Sequence, residues 1–389
     1  MKKPFWLIAI LILFCFLSLM ILNFAPQQES FGEFSPRLKN GKKWNIGYVQ
    51  SGKFRNYDIA LKNFIDQLAV RGWLEPVDWK DLPPKAGART IWLYLSQNMK
   101  SKYIQIETNN FWCAQWDRSC RKIIRKNVIE TLNSKKIDLM LAMGTWAGQD
   151  IANNQHSVPT IYLGSPFPVG NIFKNKCKIP SHLYLPENPD FLLRQIRLFR
   201  KITKFKTLGV VYVASSEGRF MSSLKILKQL SKKEKFKLVA IRVLPHSCLK
   251  SEEYLASHIK AHEKIAPQID AMWLTSGFMN NPDEAQKILA PLYKHRIPTW
   301  YPHGEVGIGN GAVFGVIHNP ERRADHYAEI TAKILNGIEP ASLIQPLPAD
   351  NQLVINCAAA QKIGMKIPKT LLSAAKRTFL TINAGNNIE

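Results

Sequence analysis

The stretch IDLMLAMGTWAGQDIA, Ile137 to Ala152, decides the fold class. Its first half is a short apolar run typical of a buried strand, and a helical pattern begins directly after Gly144 and Thr145. A glycine at such a junction lets the backbone turn tightly, and a threonine can cap the new helix. The first amides of that helix would point outward without partners, which favours an anionic group such as a carboxylate.

The same succession of strand, turn and helix recurs along the chain. NIGYVQ, residues 45–50, is followed by apolar residues at helical spacing, and TLGVVYV, residues 207–213, opens a second series of such units. Alternation of this kind specifies parallel strands joined by crossover helices. The fold class predicted is α/β, with two Rossmann-like, doubly wound lobes joined by a hinge.

The chain begins with a segment that belongs to targeting rather than to the fold. Lys2 and Lys3 precede an apolar run from Phe5 to Leu22, which predicts a signal sequence or an uncleaved membrane anchor formed by a hydrophobic helix. The protein is therefore expected to be exported, either periplasmic or anchored to the membrane. The predicted division is 1–25 for this segment, 26–43 for a linker, 44–166 plus about 304–338 for lobe 1, and 167–303 plus about 339–389 for lobe 2.

The chain is strongly basic, with 53 Lys and Arg against 29 Asp and Glu and a formal net charge of +24. These residues are scattered through predicted helices and are not gathered with aromatic pairs, so no nucleic-acid motif is recognised. The charge indicates a solvated basic surface facing anionic lipid, or a general bias of composition. A monomer without nucleic acid is expected.

Cysteine usage leaves one question open. Cys113 and Cys120 lie close together in NNFWCAQWDRSC, so in an oxidising compartment they could form a local disulfide or remain free. No metal site is indicated, because no histidine or second cysteine pair falls at zinc spacing nearby. No cofactor motif is present, and His303 and Glu305 lack a nearby nucleophile, so an enzyme is not predicted.

Small hydroxylated residues end several of the predicted strands. Ligands of open parallel sheets bind outside the carboxyl ends of the strands, where small residues leave room and supply hydrogen bonds. Helix capping explains each of these residues singly. Aromatic rings nearby could stack on a flat ligand, and Glu305 could accept a ligand ammonium. The candidate ligand-binding residues are Tyr48, Ser51, Gly52, Gly144, Thr145, Trp146, Ser165, Pro166, Ser215, Ser216, Ser276, Tyr301 and Glu305.

The order of these motifs resembles a known family. The segments that carry the likeness are NIGYVQSG, IDLMLAMGTWAGQDIA, VPTIYLGSPFPVG, KTLGVVYVASSEG and IDAMWLTSG, followed by the long piece from IPTWYPHGEVG to SLIQPLP and by LVINCAAAQKIGMKIP. From about Trp44 to Phe379 the chain resembles ABC transporter solute-binding proteins with a type I periplasmic-binding fold, in the branch that includes tryptophan and tyrosine binders. It departs from them at Ser276-Gly277-Phe278 and at NNFWCAQWDRSC.

The resemblance implies two lobes that close by hinge bending on a small molecule and present it to an ABC permease in the inner membrane. It places the ligand against Ser51, Thr145, Ser165, Ser215 and Glu305, with Trp146 and Tyr301 as stacking partners. An alternative is a membrane-anchored sensory or partner-binding module with the same fold. A lactose-repressor-like regulator is excluded, because an export segment occupies the place of its DNA-binding helices.

Overall fold

Two separate sheets flanked by helices form the structure, a computed structural model that describes residues 34–163, 179–186, 191–275, 277–344 and 351–382. The α/β class with two doubly wound lobes is confirmed. No helix within these ranges has the length and apolar character needed to cross a membrane. The predicted N-terminal segment lies outside the described residues.

The first sheet has five parallel strands in the order β2-β1-β3-β4-β5. All five residues of LMLAM in β3 are buried, which shows that both faces of the sheet are covered at its centre. The strands are β1 (Trp44–Gln50), β2 (Ile104–Cys113), β3 (Leu139–Met143), β4 (Thr160–Tyr162) and β5 (Leu183–Tyr184), and the helices between them are α1 (Arg55–Val70), α2 (Ala88–Asn98), α3 (Arg118–Asn133) and α4 (Thr145–Ile151).

The second half of strand β2 is NNFWC, part of the stretch in which the sequence departs from the family it resembles. Its last three residues pair with the end of β1 after an irregularity that separates the Ile46–Ile106 pair from the Tyr48–Phe111 pair. The bulge holds Asn110, whose amide donates to Asn45 Oδ1 at 3.0 Å. A bulge bends a strand and re-aims the residues beyond it.

The second sheet has seven strands in the order β12-β11-β10-β9-β8-β6-β7, all parallel except the antiparallel pair β10–β11. Its strands are β6 (Thr207–Val213), β7 (Lys237–Val243), β8 (Ala271–Trp273), β9 (Thr299–Trp300), β10 (Phe314–His318), β11 (Asn351–Asn356) and β12 (Ala375–Phe379). Its helices are α5 (Phe191–Thr203), α6 (Ser216–Met221), α7 (Leu224–Lys233), α8 (Ser251–Ile265), α9 (Pro282–Lys294), α10 (Glu305–Gly309), α12 (Cys357–Lys362) and α13 (Lys369–Ala374).

Helix α11 (Pro320–Leu335) returns the chain to the first lobe, where Tyr327, Ile330 and Leu335 share a core with Phe64 of α1. Asn319 caps it by accepting the amide hydrogens of Glu321 and Arg322. The chain therefore passes between the lobes after β5, after β10 and after α11.

Sheet membership differs from the predicted division at two places. Strand β5 at residues 183–184 belongs to the first sheet, although this part of the chain was expected in lobe 2. Strand β10 and helix α10 belong to the second lobe, although residues 304–338 were expected in lobe 1. The apolar run of β10 would suit the interior of either sheet, and hydrophobic pattern does not specify which strand it pairs with.

Candidate functional site

The carboxyl ends of the strands in the two sheets meet across a cleft. Asn56, at the start of α1, donates a hydrogen of its side-chain amide to the carbonyl oxygen of His303 at 3.1 Å, and His303 follows β9. Arg118, the first residue of α3, lies 3.6 Å from the carboxylate of Glu217 in α6. Both contacts join segments that directly follow parallel strands, so the strand ends of one lobe face those of the other.

Ser51 connects β1 to helix α4 at the floor of the cleft. Its Oγ accepts the amide hydrogens of Trp146 at 3.0 Å and Ala147 at 3.2 Å, and it lies 3.3 Å from the carbonyl oxygen of Met143, to which it donates. The serine is fully buried. It therefore acts as a helix cap supplied from another strand.

This contact corrects the prediction for the Gly144–Thr145 junction. The cap residue is Gly144 with φ 89°, and Thr145 is the first helical residue and makes no capping hydrogen bond. A side chain at Gly144 would bring its Cβ to 2.3 Å from Tyr57 Oη, so glycine is required there. Two of the amides expected to hold an anion, those of Trp146 and Ala147, are already satisfied by Ser51.

An aromatic pair lines the first-lobe side of the cleft. The rings of Trp116 and Trp146 lie edge to face, with centroids 5.5 Å apart and planes at 66°. Trp116 donates its Nε1 hydrogen to the carbonyl oxygen of Lys53 at 3.0 Å and remains 45% exposed. A Cβ at Gly52 would lie 2.3 Å from the Trp116 ring, so the absence of a side chain at this predicted position permits the pair.

Arg121 of α3 fixes the orientation of Trp146. Its guanidinium lies over the indole at 4.8 Å from the ring centroid. It donates to both carboxylate oxygens of Asp150 at 2.8 Å and to Gln149 Oε1 at 2.9 Å. A planar fork with paired hydrogen bonds holds its position better than a flexible ammonium.

The second lobe presents the start of α6. Ser215 Oγ accepts the amide hydrogen of Gly218 at 2.9 Å, so this predicted residue is the N-cap of α6. Ser216 is exposed, and its hydroxyl lies 3.5 Å from Glu217. These residues face the start of α3 through the ion pair between Glu217 and Arg118.

Three predicted contacts have other roles. Glu305 accepts a hydrogen bond from Arg377 at 3.1 Å, so its carboxylate already has a cationic partner. Tyr48 and Tyr301 are 0% and 1% exposed, which places both in cores rather than on the wall of the cleft. Tyr48 stacks on Phe111 with centroids 5.3 Å apart. The central strands are buried on both faces, so the sequence pattern did not show where these rings point.

The remaining predictions divide by position. Ser165, Pro166 and Ser276 lie outside the described residues. Cys113 and Cys120 are both free thiols, so the local disulfide is absent. Cys113 ends β2 and lies 3.4 Å from Gln50 Nε2, whereas Cys120 lies in the first turn of α3. The described residues contain no group of three or more side chains suited to a metal.

Sequence reasoning missed Trp116, Arg121 and Asp150 as site residues. The unusual segment NNFWCAQWDRSC was the available signal for Trp116, because it separates this sequence from its relatives. No local pattern links Arg121 to Asp150, which lies 29 residues further along the chain. Their contact depends on the packing of α3 against α4.

Burial also sets the protonation state of a histidine beside the cleft. Desolvation lowers the pKa of His303 to about 4. The imidazole ring is therefore neutral at neutral pH. The group of His303 that contacts the other lobe is its backbone carbonyl oxygen, which accepts a hydrogen bond from Asn56. The candidate site therefore combines indoles, hydroxyls and the charges of Arg118 and Glu217.

Two lobes with opposed strand ends and three connecting passages define a bilobal binding protein of the type I periplasmic-binding fold. The family described as ABC transporter substrate binding protein matches residues 102–379, and the chain belongs to this family. Such proteins bind small-molecule solutes, work with ABC permeases and are not enzymes.

Three solved structures with the same fold are similar to this chain. A conserved domain protein of Vibrio cholerae O1 biovar El Tor is 19% identical with a TM-score of 0.62. A domain from Streptococcus pneumoniae in complex with L-Trp is 18% identical with a TM-score of 0.61. A ligand-free, open substrate-binding protein with adhesive properties from Clostridium difficile is 18% identical with a TM-score of 0.59. Each alignment covers 87% of this chain and 100% of the other. No curated protein matches the sequence.

Proposed function

We propose that this protein captures a small organic solute, with aromatic amino acids as the preferred class, in the cleft and delivers it to an ABC permease. The observation that carries the proposal is the Trp116–Trp146 pair, fixed by Arg121 and opposed by the start of α6. Fixed aromatic rings give a large contact area at little entropic cost.

The charges beside the indoles suit a zwitterion. Arg118 and Glu217 lie on opposite lobes, so a ligand carboxylate and ammonium could pair with them in exchange for their mutual contact. Glu217 thereby takes the role first expected of Glu305, whose carboxylate is held by Arg377. The L-Trp complex of the Streptococcus pneumoniae domain supports this class of ligand.

Delivery requires opening and closing of the cleft. Bilobal proteins of this kind close by hinge bending, and the contacts from Asn56 and Arg118 would form when the lobes approach. The apolar run at residues 5–22 supports export or anchoring, which would place the cleft on the side of the membrane where solutes are collected.

Calorimetric titration of the purified protein with amino acids and other small metabolites tests the proposal. We expect an aromatic amino acid to bind, and Trp146→Ala to weaken that binding about tenfold because one face of the site is lost. Trp79→Ala is the control, since Trp79 belongs to the first lobe but packs against Tyr94 and donates a hydrogen bond to Asp66. Binding of no solute, or equal losses in the two variants, would refute the proposal.

A further inference from the structure

A basic surface on the second lobe is not used by the solute cleft. Residues 191–240 carry thirteen Lys and Arg but only two acidic residues, Glu217 and Glu234. Several of the basic residues gather where α5 ends, before β6, and where α7 ends, before β7. We call this the polybasic face, and its members are Arg197, Arg200, Lys201, Lys204, Lys206, Lys232, Lys233, Lys235 and Lys237.

The polybasic face contains an open pocket of about 470 Å³. The pocket lies beside the amino-terminal ends of β6 and β7, and the solute cleft lies at the opposite, carboxyl ends of the strands. A molecule bound there would leave the cleft accessible. Its lining residues are Arg197, Arg200, Lys201, Lys204, Phe205, Lys206 and Glu234.

Two of the pocket's cations are held in place, and three remain available. Arg197 donates to Glu234 Oε1 at 2.6 Å, and Arg200 donates to the backbone carbonyl of Glu234 at 2.5 Å. Lys201, Lys204 and Lys206 are exposed, and no carboxylate of the described residues lies within ion-pair distance of them. One carboxylate therefore faces five cations, which favours binding of an external anion.

We propose that the polybasic face docks on an anionic phospholipid surface, with lipid headgroup phosphates entering the pocket between the arginines and lysines. Arginine forks and lysine ammonium groups are the usual partners of phosphate oxygens. A cluster of four to eight basic side chains near a membrane is typical of attraction to acidic lipids. The apolar run at residues 5–22 predicts export or anchoring, and an uncleaved run would hold the polybasic face beside a membrane.

The composition of the face argues for lipid over nucleic acid. Proteins that bind single strands add aromatic side chains on which bases stack. The aromatic residues here, Phe205 and Phe236, are 2% and 6% exposed, so their rings are not available for stacking. Arg200 covers Phe236 with its guanidinium 5.4 Å from the ring centroid. The interactions that this face can offer are therefore contacts between flexible lysines on an open surface and phosphate groups.

The test compares binding of the full chain to phosphatidylcholine vesicles with and without phosphatidylglycerol, in a flotation assay. The N-terminal apolar segment contributes to both vesicle types, so the ratio of the two affinities isolates the effect of lipid charge. We expect the triple variant Lys201→Glu, Lys204→Glu, Lys206→Glu to reduce this ratio by at least about a hundredfold, since the loss of each lysine costs about fivefold and the new carboxylates are repelled by the lipid. Raising the salt concentration should reduce the ratio for the wild type.

The matched control is Lys100→Glu, Lys102→Glu, Lys135→Glu on the first lobe, which changes the net charge equally and is expected to leave the ratio nearly unchanged. Lys135 and Lys204 both have a left-handed backbone conformation, with φ of 55° and 56°. Each triple variant therefore replaces one residue in this conformation. Equal losses in the two triples, no preference for phosphatidylglycerol, or binding to duplex DNA but not to vesicles would overturn the proposal. Solute calorimetry on both triple variants distinguishes failure of the lipid-docking proposal from failure of the proposed solute-binding function.

Discussion

At the scale of single residues, one hydroxyl group organises the floor of the cleft. Ser51 Oγ satisfies two amides of α4, and Gly144 leaves the space that this contact requires. The arrangement uses the helix start for internal support instead of ligand binding. We therefore expect solute recognition to depend on the side chains around it, above all Trp116 and Trp146.

Replacing Ser51 with alanine should lower the free energy of unfolding by about 1–3 kcal/mol, because a cap is lost and two amides lose their acceptor. Urea denaturation measures the change. Ser134→Ala is the control, since its hydroxyl bonds only the Thr131 carbonyl on an exposed surface. An effect of Ser51→Ala no larger than that of the control would show that the cap contributes little.

Asp58 gives the protein a pH-dependent stability. It is 8% exposed, and it accepts the amide hydrogen of Ala88 at 2.7 Å. Desolvation raises its pKa to about 6 from 3.8. The folded state therefore holds this proton more tightly than the unfolded state, and the associated stability is lost as the pH rises from about 4 to about 6.

Asp58→Asn should raise the free energy of unfolding at pH 7.5 by up to about 3 kcal/mol, and the gain should vanish below pH 4, where the native aspartate is protonated. Urea denaturation at both pH values provides the measurement. Asp81→Asn, on the exposed surface, serves as the control. A gain that is the same at both pH values would contradict the assigned cause.

At the scale of elements, α3 and α4 are joined through Arg121, Asp150 and Trp146. The pairing is partly buried, with side-chain exposures of 20% for Arg121 and 12% for Asp150. It connects the helix that follows Trp116 to the helix that begins at Thr145. The orientation of the aromatic pair is thus a property of how two helices pack.

Arg121→Lys should reduce the free energy of unfolding by about 1–2 kcal/mol, because an ammonium cannot form both hydrogen bonds to Asp150 or cover the indole with a planar group. Arg125→Lys, on the exposed face of the same helix, is the matched control and should change stability by less than about 0.5 kcal/mol. Both values come from urea denaturation. Similar values for the two variants would show that the paired hydrogen bonds are unimportant.

Sequence patterns predicted elements far better than contacts. The strands at residues 45–50 and 207–213 and the helix that begins after Gly144 follow from apolar spacing, and all three are confirmed. The roles of Tyr48 and Glu305 could not be predicted in the same way. The role of Tyr48 depends on which way a side chain points from a strand buried on both faces. The role of Glu305 depends on its contact with Arg377, 72 residues away. Contacts of this kind depend on tertiary packing that local pattern does not encode.

At the scale of the whole molecule, few polar contacts between the described residues hold the two lobes together across the cleft. The Arg118–Glu217 pair is mostly exposed, with side-chain exposures of 64% and 38%. Exposed ion pairs contribute little stability and weaken in salt. The Arg118–Glu217 contact is therefore expected to break easily when the lobes separate, as the proposed hinge bending requires.

Arg118→Glu should increase the radius of gyration of the solute-free protein, measured by small-angle X-ray scattering, because two carboxylates would then face each other. The double variant Arg118→Glu, Glu217→Arg should restore the wild-type value by exchanging the charges. Lys126→Glu, on the exposed surface of the same helix, is the control. If the radius is unchanged in the single variant, the pair does not influence the separation of the lobes.

The most direct test of the central claim is a crystal structure with the solute that calorimetry selects. We predict electron density for that solute between the lobes, in contact with Trp116 or Trp146 on one side and with the start of α6 on the other. Density at any other place, with the Arg118–Glu217 contact and the indole pair undisturbed, would contradict the assignment of the cleft as the binding site.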